Sequence, residues 1–146
     1  MFSIKVERKI SKPIDIVFAK LADHANYKQF KGVDDSSLLE EGENDKNGLG
    51  AIREIVAAGG TLHEKIVAYE PPTLLSYKIV YSKPLPYQHE LGQIKLLALD
   101  ENTTAVEWLS KGRISVPLLG PWYFDKQLQK NGARAFGSIL KSIDLA

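Results

Sequence analysis

The chain has 146 residues, with 19 Lys+Arg against 18 Asp+Glu and no cysteine. That length suits one domain over residues 1–146, large enough to fold around its own core. Absence of Cys excludes disulfides, thiolate zinc sites and cysteine nucleophiles, and a net charge of +1 argues against a mainly electrostatic nucleic-acid binder.

The first ten residues, MFSIKVERKI, alternate apolar and charged side chains, which predicts a strand over 2–10. They lack the apolar core of a signal peptide, and no apolar run reaches the roughly 20 residues of a membrane span. The expectation is a cytoplasmic protein with no integral membrane segment. Pro13 suits the first turn of a helix whose apolar stripe is Ile14, Val17, Phe18 and Leu21. Asp23 or Asn26 is placed to cap a second short helix ending near Phe30.

The chain is then mostly strand. A weak strand at 36–42 is followed by a polar turn at 44–48. Strands 49–58 and 61–69 are joined by Gly59-Gly60, a hairpin signal. The turn at 70–73 leads to strand 74–82, and the prolines of 83–86 make a loop. Strands 87–99 and 103–114 flank a turn at 100–102. Pro117, Gly120 and Pro121 break the pattern, and the rest reads as one helix over about 121–143. Its apolar face is Phe124, Leu128, Phe136, Ile139, Leu140 and Ile143. Gly132 and Gly137 inside it have two readings: close contact with a sheet, or room for a molecule bound beneath. The six later strands should form an antiparallel meander, with the last helix as its cover.

This order resembles the START/polyketide-cyclase (SRPBCC) superfamily, the helix-grip fold also found in pollen-allergen-like proteins. The strings that carry the likeness are IKVERKISKPIDIVFAKLADHANYKQF, GLGAIREI, HEKIVAYEPPTLLSYKIV, and PLPYQHELGQIKL followed by TAVEW. The group it looks most like is the bacterial polyketide cyclase/dehydrase-like proteins. The resemblance implies an α+β fold: a curved antiparallel sheet of about seven strands around a long C-terminal helix, two short helices after the first strand, and a deep apolar cavity. It does not fix function, since its members include cyclases, lipid carriers, hormone receptors and chaperone cofactors.

Hairpin geometry sorts the side chains by face. With Gly59-Gly60 as the loop, residue 55 opposes 64 and 53 opposes 66. Arg53, Ile55, Leu62, Glu64 and Ile66 then share one face, with Glu54 opposite Lys65 on the other. A turn at Pro71-Pro72 adds Leu75, Tyr77 and Ile79 to the first face. A loop at 100–102 groups Gly92, Ile94, Leu96, Val106, Trp108 and Ser110. This face is mainly apolar and should be concave, with Arg53, Glu64, Tyr77, Ser110 and either Glu90 or His89 as its polar groups. Arg53 and Glu64 are then diagonal neighbours able to pair. A one-residue slip would turn both to water. Trp108 and Tyr77 read either as core or as ligand contacts. Trp122 and Tyr123 read as a gate or an anchor.

His24, His63 and His89 have no metal-ligand spacing among them, so no metal site is expected and no cofactor is implied. His63 falls on the outer face, and His89 is the titratable candidate. Gly48-Leu49-Gly50 completes no dinucleotide or phosphate motif, and no nucleophile elbow occurs. The positive charges from Lys126 to Arg134 read as a solvated helix face, and no surface apolar stripe is evident.

Two functions fit. The first is binding or carriage of a hydrophobic small molecule, such as a lipid, quinone or polyketide-like compound. The cavity lining expected for it is Arg53, Ile55, Leu62, Glu64, Ile66, Tyr77, Ile79, Glu90, Ile94, Trp108, Ser110, Trp122, Phe124, Leu128 and Phe136. The second is aldol cyclisation and dehydration of a polyketide. There Arg53 and Tyr77 would polarise a carbonyl, and Glu64 or His89 would move the proton. A protein-binding cofactor is a third class, and a homodimer is compatible with the chain.

Overall fold

Alternating apolar residues, short turns and one late amphipathic run produce a sheet wrapped on a helix. The computed structural model describes all of Met1–Ala146. Its strands are β1 (Phe2–Ile10), β2 (Asp35–Glu40), β3 (Ile52–Ala57), β4 (Gly60–Glu70), β5 (Leu74–Lys83), β6 (Tyr87–Asp100) and β7 (Thr103–Ile114). They form one antiparallel sheet in the order β1-β7-β6-β5-β4-β3-β2. Helix α1 (Ile14–Leu21) buries Val17, Phe18 and Leu21, the expected stripe. A 3-10 helix at His24–Gln29 follows. Asp23 sits at its N-cap without a capping bond; its carboxylate instead accepts from the Asn26 amide at 2.9 Å.

The hairpin between β3 and β4 turns on Ala58-Gly59, not Gly59-Gly60. Both residues have positive φ, 50° and 76°, the conformation that matches the strands' twist. The register therefore shifts by two residues: Arg53 directly opposes Glu64, and Glu54 opposes His63, which it meets at 2.8 Å, instead of Lys65. A two-residue shift preserves the faces, so the inward set stands. In β4, β5, β6 and β7 the expected pairs Ile66–Tyr77, Glu64–Ile79, Ile94–Trp108 and Leu96–Val106 are all formed.

The last helix, α2, runs over Asp125–Leu145 and not from 121; Gly120–Phe124 is a π turn before it. Gly132 settles one of its two readings. A Cβ there would collide with Cδ1 of Ile4, so the N-terminal half of α2 lies tight on β1. A Cβ at Gly137 would meet nothing. The C-terminal half supplies Ile139, Leu140 and Ile143 to a core shared with Ile10, Leu21, Ile66, Leu75 and Ile94. Arg8 fastens that end to α2 by bonding the Asp144 carboxylate at 2.8 and 3.1 Å. No helix is long and apolar enough to cross a membrane.

Candidate functional site

Between the concave face of β3–β5 and α2 the packing opens into a cavity of about 370 Å³. Ile55 and Leu62 form part of its sheet wall, and Trp108 of β7 stacks in parallel on Phe136 of α2, their centroids 4.2 Å apart. Lys31, Gly32 and Ala135 lie exposed at its rim.

Its polar floor is Arg53. This side chain is only 1% exposed, and an unpaired charge so placed would be strongly unfavourable. It is satisfied from several sides. Nε donates to Glu64 Oε1 at 2.8 Å, and Nη1 donates to Nδ1 of His24 at 3.1 Å. The guanidinium carbon lies 4.4 Å from the Tyr27 ring centroid and 5.2 Å from that of Tyr77. Burial alone would lower the guanidinium's pKa. Tyr27, Glu64 and Tyr77 raise it and prevail, so the charge is fixed. Tyr27 adds a side-chain hydrogen bond to the guanidinium, and Arg53 with Glu64 borders the cavity.

The surrounding groups are held in defined states. His24 is fully buried and accepts from Arg53 on Nδ1, so Nε2 carries the hydrogen and donates to the Asn47 carbonyl at 2.8 Å. Burial, then the Arg53 charge, lowers its pKa to about 3, so the ring is neutral at physiological pH. Tyr27 donates to the Leu21 carbonyl at 2.6 Å, which fixes its ring beneath Arg53. Its helix is tied to β2 through Ser36, whose hydroxyl accepts from Lys28 N–H and donates to the Ala25 carbonyl. The Tyr77 hydroxyl accepts from Trp108 Nε1 at 2.9 Å, and its own proton has no acceptor on the protein. Burial and the nearby Glu64 push its pKa well up. Gly92 makes room for this ring: a Cβ there would overlap its Cε2.

Seven of the residues expected to line a cavity do so: Arg53, Ile55, Leu62, Glu64, Tyr77, Trp108 and Phe136. The others are elsewhere. Ile66 and Ile94 share the inward face but are sealed in the core at 0% exposure. Ser110 is buried beside His89. Ile79 is half-buried outside the cavity. Glu90 is turned to solvent by a bulge between His89 and Leu91, which reverses alternation at that point. The same bulge points His89 inward. There its Nδ1 accepts Ile79 N–H, leaving Nε2–H to donate to Ser110 Oγ, and its ring stacks on Tyr77. Both of its nitrogens are engaged, and it does not line the cavity. Its pKa falls to about 4 through burial and the Lys78 charge. Trp122 and Phe124 precede α2, and Leu128 sits on the half of α2 that covers β1, so none of the three reaches the cavity.

The sequence reading missed His24, Tyr27, Val33, Ala57 and Ile139 at or beside this site. Two signals were available for part of it. A buried Arg requires more than one partner, and His24 and Tyr27 occupy one short segment whose neighbours are polar. No cluster of three or more His, Asp or Glu able to hold a metal ion occurs.

The backbone matches solved structures over nearly its full length. A START superfamily protein from Mycobacterium smegmatis aligns over 99% of this chain and 97% of its own, at TM-score 0.80 and 11% identity. The ZhuI aromatase/cyclase from Streptomyces sp. R1128 aligns over 97% and 92%, at TM-score 0.73 and 16% identity. Ara h 8.0201 aligns over 97% and 96%, at TM-score 0.69 and 14% identity. These likenesses show the helix-grip fold. No curated protein sequence matches the chain. A family model described as polyketide cyclase/dehydrase and lipid transport matches residues 1–141. The chain therefore belongs to the polyketide cyclase/dehydrase and lipid transport family.

Proposed function

We propose that the chain binds an uncharged, largely apolar small molecule carrying carbonyl or hydroxyl groups, in the cavity between β3–β5 and α2. The observation that carries this reading is the floor of the cavity: Arg53 and Glu64 cancel each other's charge, and both line the opening. The Tyr77 hydroxyl proton is unspent, and the Arg53 guanidinium borders the same opening. Glu64 Oε2 takes no protein donor. A carboxylate or phosphate ligand would meet Glu64 and lose the advantage of Arg53. An oxygenated neutral molecule satisfies both, while Ile55, Leu62, Trp108 and Phe136 hold its apolar body. The family description supports a hydrophobic ligand in the same way.

The same floor supports a second reading, cyclisation of a polyketide. In that reading Arg53 and the Tyr77 hydroxyl would polarise one carbonyl, and Glu64 Oε2 would take a proton from a neighbouring carbon. The aromatase/cyclase named above shares the fold. Comparison of native with denatured mass after gentle purification tests the binding reading. A mass excess lost on denaturation, and lost in Arg53→Met, is the expected result. A clean mass, together with no response to neutral hydroxy-ketones or quinones, would overturn it.

A further inference from the structure

Outside the cavity, the loop between β7 and α2 exposes Leu118 (83%), Leu119 (55%), Trp122 (75%) and Tyr123 (54%). This loop is not slack. Gly120 N–H donates to the Val116 carbonyl at 2.8 Å, and Ser115 N–H donates to the Pro86 carbonyl at 2.8 Å. The buried Asp125 carboxylate accepts Ile114 N–H at 2.9 Å. A Cβ at Gly120 would strike the Ile114 carbonyl oxygen, so the loop is drawn against β7. Leu118 is held at φ 67°, in the left-handed region that a branched side chain disfavours. The fold therefore presents apolar side chains outward on an already ordered support.

The charge around the loop is mainly basic. Near the loop in the chain the basic residues are Lys111, Arg113, Lys126 and Lys130, and the acidic residue is Asp125, which is 2% exposed. Lys126 Nζ lies 5.9 Å from the Trp122 ring centroid, its charge beside the aromatic face. The pairings Tyr87–Ile114, Thr61–Lys83 and Ala57–Gly60 put this loop at the same end of the sheet as the β5–β6 and β3–β4 tips. Lys83 adds a further positive charge there. The exposed acids at that end are Asp34 and Asp35, at the start of the edge strand β2, and Glu90, on the β6 bulge beside Gly112 and Lys111.

We propose that Leu118–Tyr123 docks this end of the protein on an anionic phospholipid surface. Trp and Tyr favour the boundary between headgroups and acyl chains, because each joins an apolar ring to a polar tip. Leu118 and Leu119 reach further into the apolar layer. Lys126 and Lys130, on the first turns of α2, meet the lipid phosphates, and each basic residue near such a surface strengthens binding about fivefold. Because the loop is ordered in advance, little conformational freedom is lost on docking. Exposed apolar side chains flanked by basic residues suit a fluid anionic layer better than a protein partner, which would offer fitted pockets and acidic groups at fixed positions.

Sedimentation with phosphatidylcholine vesicles, with and without phosphatidylserine, tests the proposal on the full chain. Binding to the anionic vesicles only is expected, weakened about fivefold each by Lys126→Gln and Lys130→Gln and abolished by Trp122→Ser with Leu118→Ser. Fluorescence gives a second readout. The chain has two tryptophans, so Trp108→Phe leaves Trp122 alone, and its emission should shift to the blue with anionic vesicles. No sedimentation, equal binding to both vesicles, or binding that survives Trp122→Ser with Leu118→Ser would each overturn the proposal. So would a Trp122 emission already blue without lipid in a protein of dimeric mass. None of these results bears on the cavity, which the native-mass comparison tests without lipid vesicles.

Discussion

The same sheet is solid at one end and hollow at the other. Around Ile66, Leu75, Ile94 and Leu140 the side chains reach 0% exposure and pack on one another. Toward β3 and the β3–β4 tip, the inward residues Ile55 and Leu62 are only half-buried. There the floor is a guanidinium with a carboxylate, a neutral histidine and two tyrosines around it. One α-helix and one concave face serve both ends, so the difference lies in side chains, not in architecture. An apolar core closes on itself because each side chain finds another. A buried ion pair beside an unspent hydroxyl proton holds the walls apart and leaves hydrogen-bonding capacity for a visitor.

The sharpest way to break this contrast is to strand the charge. Glu64→Leu leaves Arg53 buried without its carboxylate and should cost about 3–5 kcal/mol in denaturant unfolding. Adding Arg53→Met should recover most of that, since well-packed apolar pairs often match or exceed buried ion pairs. If the double variant stays as unstable as Glu64→Leu alone, the pair is not isolated from the rest of the fold as described.

Much of this fold was legible because its signals are periodic. The strands from Leu74 to Ile114 keep their expected cross-strand partners, and the stripe of α1 buries as read. Even the hairpin error, Gly59-Gly60 for Ala58-Gly59, moved the register by two and left Arg53 and Glu64 inward. What failed was aperiodic. The bulge at Glu90 exchanges it with His89, and a strict alternation has no means to show that. Trp122, Tyr123, Leu118 and Leu119 make an exposed apolar cluster on a loop, with no helical or strand period, so no surface stripe was visible. His24 and Tyr27 reach Arg53 from a 3-10 segment whose packing depends on Ser36 across 11 residues. Long-range partners of that sort leave no spacing in the chain.

Acid should probe the polar floor. His24, with its pKa lowered to about 3, must charge on unfolding but not in the folded protein. Stability is therefore complete above pH about 6.5 and falls with pH below that, as the unfolded chain takes up the proton first. Between pH 7 and pH 5 the expected loss from His24 is about 2 kcal/mol. Arg53 and Asp45 are the charged groups acting on it. His89, lowered to about 4, contributes in the same direction. Its share is removed in His89→Asn, and the slope lost on adding His24→Asn to that variant belongs to His24. Urea midpoints that stay level from pH 7 to pH 5 would show His24 to be solvated and the floor open to water.

The smallest effect is the most informative about the hollow. Ile94 and Ile55 lie on the same concave face, one at 0% exposure and one on the cavity wall. Ile94→Phe adds volume where none is free and should cost about 1–3 kcal/mol through displaced neighbours. Ile55→Phe adds the same volume to an opening of about 370 Å³. There the added ring meets the cavity rather than a packed neighbour, and stability should change by less than about 0.5 kcal/mol. The two substitutions also separate packing from binding. Ile55→Phe should remove the mass excess of the native protein while leaving its unfolding midpoint in place, whereas Ile94→Phe should lower the midpoint. Equal losses of stability at the two positions would mean that the space beside Arg53 closes in solution, and that the ion pair is a structural element of a filled core.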